Sequence, residues 1–451
     1  MLRIQSVLFC TALSMFLSCQ SQPRPNTGSG RKSKSETDFS HPWLWTTGYT
    51  QFEDSIQTSE LIRKQEPVYV LQGTEKEARV LAPDQELISV SFNDYQRKYY
   101  GKILFLPLDS MRMELKVLVA DGLFFFEQGD KWKWFKKGSK PFPFKDEITK
   151  LTHTGVTALT RSTGKYLDQK GIDPYLVNIL PYFQNSDYVH LSNEVSFLPG
   201  CTFTGGTKFC SKEEHFEILK KLKVNVVELT GNHNKDYGPE AFITTYDWYL
   251  KQGMKIFGGG RNEEEAGKAL ILPLKGGGRM AFIGFNEFCP LRECAAGNDN
   301  PGAKKYSEEF AKNKILELRT QGVDFIVAGV QFGETDGYKP TASQEKIAKR
   351  LVELGADMVY GSQAHVIQRV EIYNNKIIYY GLGNFLFDQI HRRGVREAMF
   401  MDHYFYKGRL AGTRHWYTFM QSDRTPALAD YSEKRFIQSQ IWPGILPAGV
   451  K

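Results

Sequence analysis

Long apolar runs are scarce in this chain of 451 residues. The one near the start, residues 7–17, is shorter than the ~20 residues a helix needs to cross a bilayer. No later stretch reaches that length, so the mature chain is expected to be anchored to a membrane and not to span it. A basic stripe with interleaved aromatics is not evident. Part of the net charge of +7 sits at Arg31, Lys32 and Lys34, and the rest is diluted over the chain, so nucleic acid is not implied as a partner. Cysteine is sparse, at 6 residues, and the four outside the leader have no Cys-x-x-Cys spacing, which argues against a zinc cluster. No internal repeat is evident.

What is present begins with an export signal. Arg3 precedes the apolar run, which ends Phe16-Leu17-Ser18-Cys19. Residues 1–19 resemble a bacterial lipoprotein signal with Phe16 where Leu is usual, making Cys19 the lipid-bearing first residue; an ordinary secretory signal cut nearby is the alternative. Residues 20–40 are polar and read as a flexible tether. The remaining cysteines fall as two close pairs, Cys201 with Cys210 and Cys289 with Cys294. In an exported chain they favour disulfides, and local pairing is the simplest of three connectivities.

Residues 41–147 carry short strand candidates at 68–71, 87–92, 102–106, 115–119, 123–126 and 132–135. They read as a small, mostly-β domain whose aromatics are core and edge residues, with no catalytic signature. From 148 to 430 the pattern alternates strands with amphipathic helices, as in an α/β domain. Strands are expected at 151–159, 188–195, 254–257, 280–285, 324–332 and 357–360. Helices are expected at 173–184, 211–222 (capped by Ser211), 239–250, 307–321 and 342–354, with a hairpin about Asn374-Asn375. Residues 431–451 read as a tail.

One stretch organises this domain: Glu-Leu-Thr-Gly-Asn-His-Asn-Lys-Asp-Tyr-Gly from Glu228 to Gly238, lying between a β-branched run and a proline-started helix. Gly231 permits a sharp bend. Asn232 and His233 then stand at a strand end, where open α/β sheets place their sites; a capping Asn beside an incidental His is the bland alternative. Polar groups emerge from other apolar runs at Arg161, at Asn193 and Glu194, at Gln331, at Gln363 and His365, and at Asn384. Glu194, His233 and His365 can act as acid–base groups or metal ligands. The amides can position a substrate but are weak ligands. Gly258-Gly259-Gly260-Arg261 reads either as an anion cradle ahead of a helix from Glu263 or as a plain turn. Asp402-His403 reads as a polar neighbour of the site after the last core element.

The ordered series Ser192-Asn193-Glu194, Gly231-Asn232-His233 to Gly238, Gly355-Ala356-Asp357, Gly361 to His365, and Tyr380 to Phe385 with Phe387-Asp388 resembles the CapA family. That family is associated with poly-γ-glutamate capsule synthesis and belongs to the calcineurin-like metallophosphoesterases. The resemblance runs from about Thr152 to about Gly408. It implies a four-layer α/β/β/α sandwich with its site at the strand ends, preceded by the small β domain. The family's Gly-Asp is Gly155-Val156 here, its His-Trp-Gly is Gln331-Phe332-Gly333, and its Gly-x-His-Pro-His is Gly361-Ser362-Gln363-Ala364-His365. An Asp and two His ligands are thus replaced, leaving Glu194, Asn232, His233 and His365 for at most one weakly held divalent ion.

Two functions follow as expectations for a lipid-anchored cell-envelope protein of capsule or surface-polymer synthesis or export. In the first, the protein is a hydrolase or transferase of an amide or phosphoester bond, with His233, His365 and Glu194 catalytic. In the second, it is a non-catalytic binder of an anionic polymer or envelope partner, with Arg161, Asn193, Gln331, Gln363 and Asn384 as recognition groups.

Overall fold

The computed structural model describes residues 39–203, 205–289, 293–333, 335 and 337–442. The leader with Cys19 and nearly all of the tether lie outside them, as does the end of the chain from 443. The described residues from 39 to 442 form one compact unit.

Two sheets make the frame. The first runs Lys255–Phe257, Val226–Glu228, Tyr188–Asn193, Ile148–Thr157, Glu397–Tyr406, Arg409–Met420, Pro426–Leu428, with Asn384–Leu386 also beside Ile148–Thr157. The second runs Leu270–Pro273, Arg279–Asn286, Phe325–Gln331, Met358–Ser362, Lys376–Tyr379, Val370–Tyr373. The four strands from Lys255–Phe257 to Ile148–Thr157 are parallel, as are the four central ones of the second sheet. Parallel strands of this kind are covered on both faces.

Alternation along each strand divides the core into layers. Val226, Leu151 and Met401 meet Phe282, Val327, Met358 and Tyr379 between the sheets. The neighbouring Val227, Val189 and Leu191 turn outward onto Phe242, Trp248 and Tyr249 of the helix Pro239–Lys251. Ala281, Ile283, Ile326 and Ala328 turn outward onto Ile315 and Leu318 of Glu308–Thr320 and onto Ala348 and Leu351 of Ala342–Leu354. The result is the expected α/β/β/α sandwich. Its helices have the caps their sequences announce: Ser307 Oγ accepts from Phe310 N, and Thr341 and Gln344 form a capping box.

The region before 148 is built on strands, as expected, and several finer expectations need correction. The region before 148 contains a six-stranded sheet in the order Leu87–Val90, Val68–Leu71, Leu104–Pro107, His41–Gly48, Leu115–Val117, with Phe135–Lys136 also on His41–Gly48. It also contains helices Thr58–Lys64 and Glu75–Leu81. Its centre is His41–Gly48, where Trp45 stacks on Phe105 at 4.4 Å. Residues 123–126 form no strand: Leu123 makes an isolated bridge to Ala120, and 125–126 lie in a turn. This core shares Tyr404, Tyr406 and Ala411 with the sandwich. Lysine and tryptophan do interleave at 131–137, with the lysines exposed and the indoles buried.

Within the sandwich the span 173–184 is broken into Ile172–Leu176 and a 3-10 turn Leu180–Phe183 containing Pro181. A further helix, Arg161–Lys170, precedes it. Ser211 caps nothing: its Oγ donates to Leu159 O at 2.8 Å, and a 3-10 turn Glu213–Phe216 precedes Glu217–Lys221. Asp402 and His403 lie mid-strand on Glu397–Tyr406 and are wholly buried, so they are core and not neighbours of the site. From 431 the chain forms a helix, Tyr431–Ile441, that sends Ile437, Ile441 and Trp442 between the sheets. Both local disulfides form, Cys201–Cys210 and Cys289–Cys294. Among the described residues no helix is long and apolar enough to cross a membrane.

Candidate functional site

The carboxyl ends of the parallel strands of both sheets meet at one place. Register aligns Gln331 with Ser362 in the second sheet. In the first, Asn193 ends its strand just before Glu194, and Glu228 ends the next, three residues before Gly231. Gly231 is needed for space more than for bending: a Cβ there would stand 2.8 Å from Glu194 Cα and 2.9 Å from its Cγ. The glycine therefore lets the Asn232–His233 corner close onto Glu194.

Gln331 lies at the centre. It is wholly buried, and its Nε2 donates to Glu194 Oε1 at 2.8 Å, to Asn232 Oδ1 at 3.1 Å and to Gln363 Oε1. Its Oε1 accepts from Ser362 Oγ at 2.7 Å. An amide nitrogen has two hydrogens, so three acceptor oxygens from both sheets share one donor. Glu194 is 1% exposed, and its Oε2 is buried without a hydrogen-bond partner. Gln363 reaches the cluster from left-handed backbone, φ 77°, a conformation costly for a residue with a Cβ and tolerated where the surroundings fix it.

Around this centre the two imidazoles are held from their Nδ1 sides. His233 Nδ1 meets Asp236 Oδ2 at 2.7 Å, and that oxygen also accepts from Phe209 N at 2.7 Å. His365 Nδ1 meets Asn384 Oδ1 at 2.8 Å; the amide nitrogen of Asn384 donates to Val395 O at 3.0 Å. Two aromatic rings link the histidines to Arg161. Phe209 lies 4.2 Å from His233 and Phe387 5.2 Å from His365, and the Arg161 guanidinium stands 4.6 Å over the first ring and 4.9 Å over the second. Asp388 fixes it with Oδ1 at 2.5 Å. Arg161 is thus linked to both histidines through these two rings.

Asn193 does not join this group. Its Nδ2 donates to Val195 O and to Tyr249 OH, both at 2.7 Å, on the helix side of the sheet. Asn232 caps no helix; the cap position before Pro239 belongs to Gly238. The run Gly258–Gly260 cradles nothing: Gly259 and Gly260 pair as a strand with Gly302 and Ala303, and Arg261 is bound by Glu265 and Asp247. Asp236, Ser362 and Asp388 stand inside motifs visible in the sequence, but spacing alone does not say which atom each one holds. Phe209 has no signal there at all.

Behind the cluster a polar chain enters the inter-sheet core. Ser362 Oγ leads to Glu228 Oε1 at 3.5 Å, Glu228 Oε2 accepts from Tyr360 OH at 2.9 Å, and Tyr360 OH meets His190 Nε2 at 3.2 Å. Burial raises the Glu228 carboxyl, but the His190 imidazole, with Thr230 and Tyr360, outweighs it and holds the group below its ordinary value.

The metal expectation can be tested on this donor set. Glu194, Asn232 and Gln363 do present oxygens to one point, and Glu194 Oε2 is orphaned. That point, however, is filled by the amide nitrogen of Gln331, a donor where a cation would stand. Among the described residues no group of three or more His, Cys, Asp or Glu is arranged to hold a metal. The residues as placed do not fit a metal centre.

Fold and site together define an α/β/β/α sandwich with a buried cluster of amides and one carboxylate at the strand ends. The chain belongs to the bacterial capsule synthesis protein PGA_cap family, whose model matches residues 150–389, more than half of its length. It is 28% identical over 281 residues to the PGA biosynthesis protein CapA of Bacillus subtilis (strain 168), covering 60% of this chain and 72% of that one. It is also 28% identical over 281 residues to the capsule biosynthesis protein CapA of Bacillus anthracis, covering 60% and 68%. Among solved structures, the calcineurin-like phosphoesterase YfkN from Bacillus subtilis aligns over 65% of this chain and 96% of that one, at TM-score 0.39 and 13% identity.

Proposed function

We propose that this protein is an exported, lipid-anchored factor of capsule or poly-γ-glutamate-like polymer synthesis or export, and that its strand-end site binds the anionic polymer without cleaving it. The observation that supports this reading is the position of Gln331. Its amide nitrogen holds the oxygens of Glu194, Asn232 and Gln363 in a closed neutral–anionic cluster, so the groups that would assemble a hydrolytic centre bind one another. Beside the cluster stand the Arg161 guanidinium on its aromatic shelf, held by Asp388, and the two histidines, held by Asp236 and Asn384. These suit a carboxylate or amide.

The test is equilibrium binding of poly-γ-glutamate to the purified protein and to Gln331→Ala, alongside metal analysis and phosphoesterase and peptide-hydrolase assays. Binding that weakens in Gln331→Ala, with no turnover by the wild type, supports the proposal. Turnover by the wild type that His233→Ala abolishes overturns it.

A second reading has one observation in its favour. Glu194 Oε2, buried and unpartnered, and the His233–Asp236 pair are the components of an acid–base arrangement acting on an amide or phosphoester bond. The same assays decide between the two.

A further inference from the structure

The outer face of the first sheet carries a second group of polar and aromatic residues, at the end away from Glu194. Alternation with period two puts Lys150 and Thr152 of Ile148–Thr157, Asp402 and Tyr404 of Glu397–Tyr406, and Arg414 and Trp416 of Arg409–Met420 on that face. Their neighbours Leu151, Met401 and Tyr417 point between the sheets. Tyr182 of the 3-10 turn Leu180–Phe183 stands edge-on to Trp416 at 4.6 Å, and Phe126 of the N-terminal region stacks on Tyr404 at 4.6 Å. Phe126 comes this close because the adjacent strand has Gly412, where a Cβ would run into the phenyl ring. A cleft of about 900 Å³ lies between these walls. That is within the ~300–1,000 Å³ of sites that take small organic ligands, which recur where one folding unit meets another.

The cleft is held in shape by its own polar contacts. Asp402, wholly buried, accepts from Thr152 Oγ1 at 2.6 Å and from Trp416 Nε1 at 2.8 Å, and pairs with the Lys150 ammonium at 3.1 Å. Lys275 pairs with Asp187 at 2.5 Å. Arg414 lies on Trp416 at 4.1 Å and pairs with Glu127. The exposed Lys145 and Asp130 add one charge of each sign. We propose that this cleft binds a neutral, disaccharide-sized glycan. Its lining charges cancel, four against four, so no net field draws a phosphate or a polycarboxylate. A sugar hydroxyl donates and accepts at once. It can accept from the ammonium and donate to the carboxylate of one ion pair, whereas a charged ligand suits one partner and is repelled by the other. The C–H face of the sugar packs on the half-buried Tyr182 ring. A peptide is recognised by adding a strand to a free sheet edge, and here the floor is the face of Glu397–Tyr406, paired on both sides. This binding is independent of the polymer binding proposed at the strand ends.

The experiment is calorimetric titration of the purified protein with N,N′-diacetylchitobiose, cellobiose and maltose, and with AMP and tri-γ-glutamate as charged probes. Saturable binding of at least one disaccharide is expected. Tyr182→Ala should weaken it about tenfold, the worth of one ring contact. Lys275→Ala should weaken it several-fold by removing one donor from a rim ion pair. Melting temperatures of both variants are compared with that of the wild type first. Should Tyr182→Ala fail to fold, Lys275→Ala decides alone, because that side chain is 39% exposed and its loss leaves the fold intact. The proposal is overturned if no disaccharide binds up to ~10 mM, or if disaccharide binding survives both substitutions unchanged. It is overturned equally if only AMP or tri-γ-glutamate binds.

Discussion

The buried imidazoles between the sheets make the protein acid-labile, and His153 is the place to measure it. His153 lies on Ile148–Thr157 and is wholly buried. Its ring is 4.3 Å from that of His190, 4.1 Å from Tyr360 and 5.8 Å from His403, and both its nitrogens lack hydrogen-bond partners. Beyond His190 and Tyr360 stands Glu228. Burial first, then the charges of His190 and His403, push the His153 imidazole far below its ordinary value of 6.5. The ring is therefore neutral when folded and takes up a proton only on unfolding. A group with a depressed folded value of this kind is stabilising above pH 6.5, and that contribution is lost as pH falls below it. At pH 5 the unfolded state gains about 2 kcal/mol from protonating one such histidine, and at pH 8 almost nothing. His403, pushed down to about 3 by burial and by His190, adds a similar loss. His153→Leu removes one of the two and orphans no partner. Urea unfolding of wild type and variant should differ by less than about 1.5 kcal/mol at pH 8. The difference should move by about 2 kcal/mol in favour of the variant at pH 5. A difference that stays constant from pH 8 to pH 5 would refute the assignment of His153 as a neutral core imidazole.

Three further perturbations bear on the site and its frame. Gly231→Ala places a methyl 2.8 Å from Glu194 Cα; it should lower stability by about 1–3 kcal/mol and weaken polymer binding in a titration, because Glu194 must move. Gln331→Glu puts an acceptor among the three oxygens that now share a donor. It should destabilise the metal-free protein by ~1–3 kcal/mol, and added Ca2+ or Mn2+ should restore its melting temperature while leaving the wild type unmoved. Cys201→Ser/Cys210→Ser opens a loop of sequence separation 9; the melting temperature should fall by the equivalent of roughly 2–3 kcal/mol, and reducing agent should then have less effect on the variant than on the wild type.

Where one face of an element is buried, its sequence announces it. Ala342–Leu354 matches its periodic pattern at both ends, because Thr341 and Gln344 cap it and Gly355 closes it in left-handed backbone, φ 114°. Elements buried on all sides are silent. Glu397–Tyr406 reads Glu-Ala-Met-Phe-Met-Asp-His-Tyr-Phe-Tyr and is buried throughout, so no alternation marks it as a strand, and Asp402 and His403 pass for surface residues. His41–Gly48 has the same difficulty: seven of its eight residues are buried, and it joins strands that lie far along the chain. The two helices before residue 90 are short, seven residues each, and they cover a sheet whose strand signals are stronger than their own.

The site was legible as a set of strand ends, because polar residues that close apolar runs can only be solvated there or converge there. Its chemistry was not legible, because that depends on which atom faces which. As a residue type Gln331 is one more amide on the rim. In the fold its nitrogen takes the position toward which Glu194, Asn232 and Gln363 all point their oxygens. A histidine at that strand end would bring a lone pair to an ion. A glutamine brings hydrogens to the anionic and carbonyl groups themselves, and so stabilises the cluster with no ion present. The same substitution that removes a ligand thus removes the need for one. This is why the surrounding Gly231-Asn232-His233 corner keeps its form around Glu194 with the amide nitrogen of Gln331 at the centre.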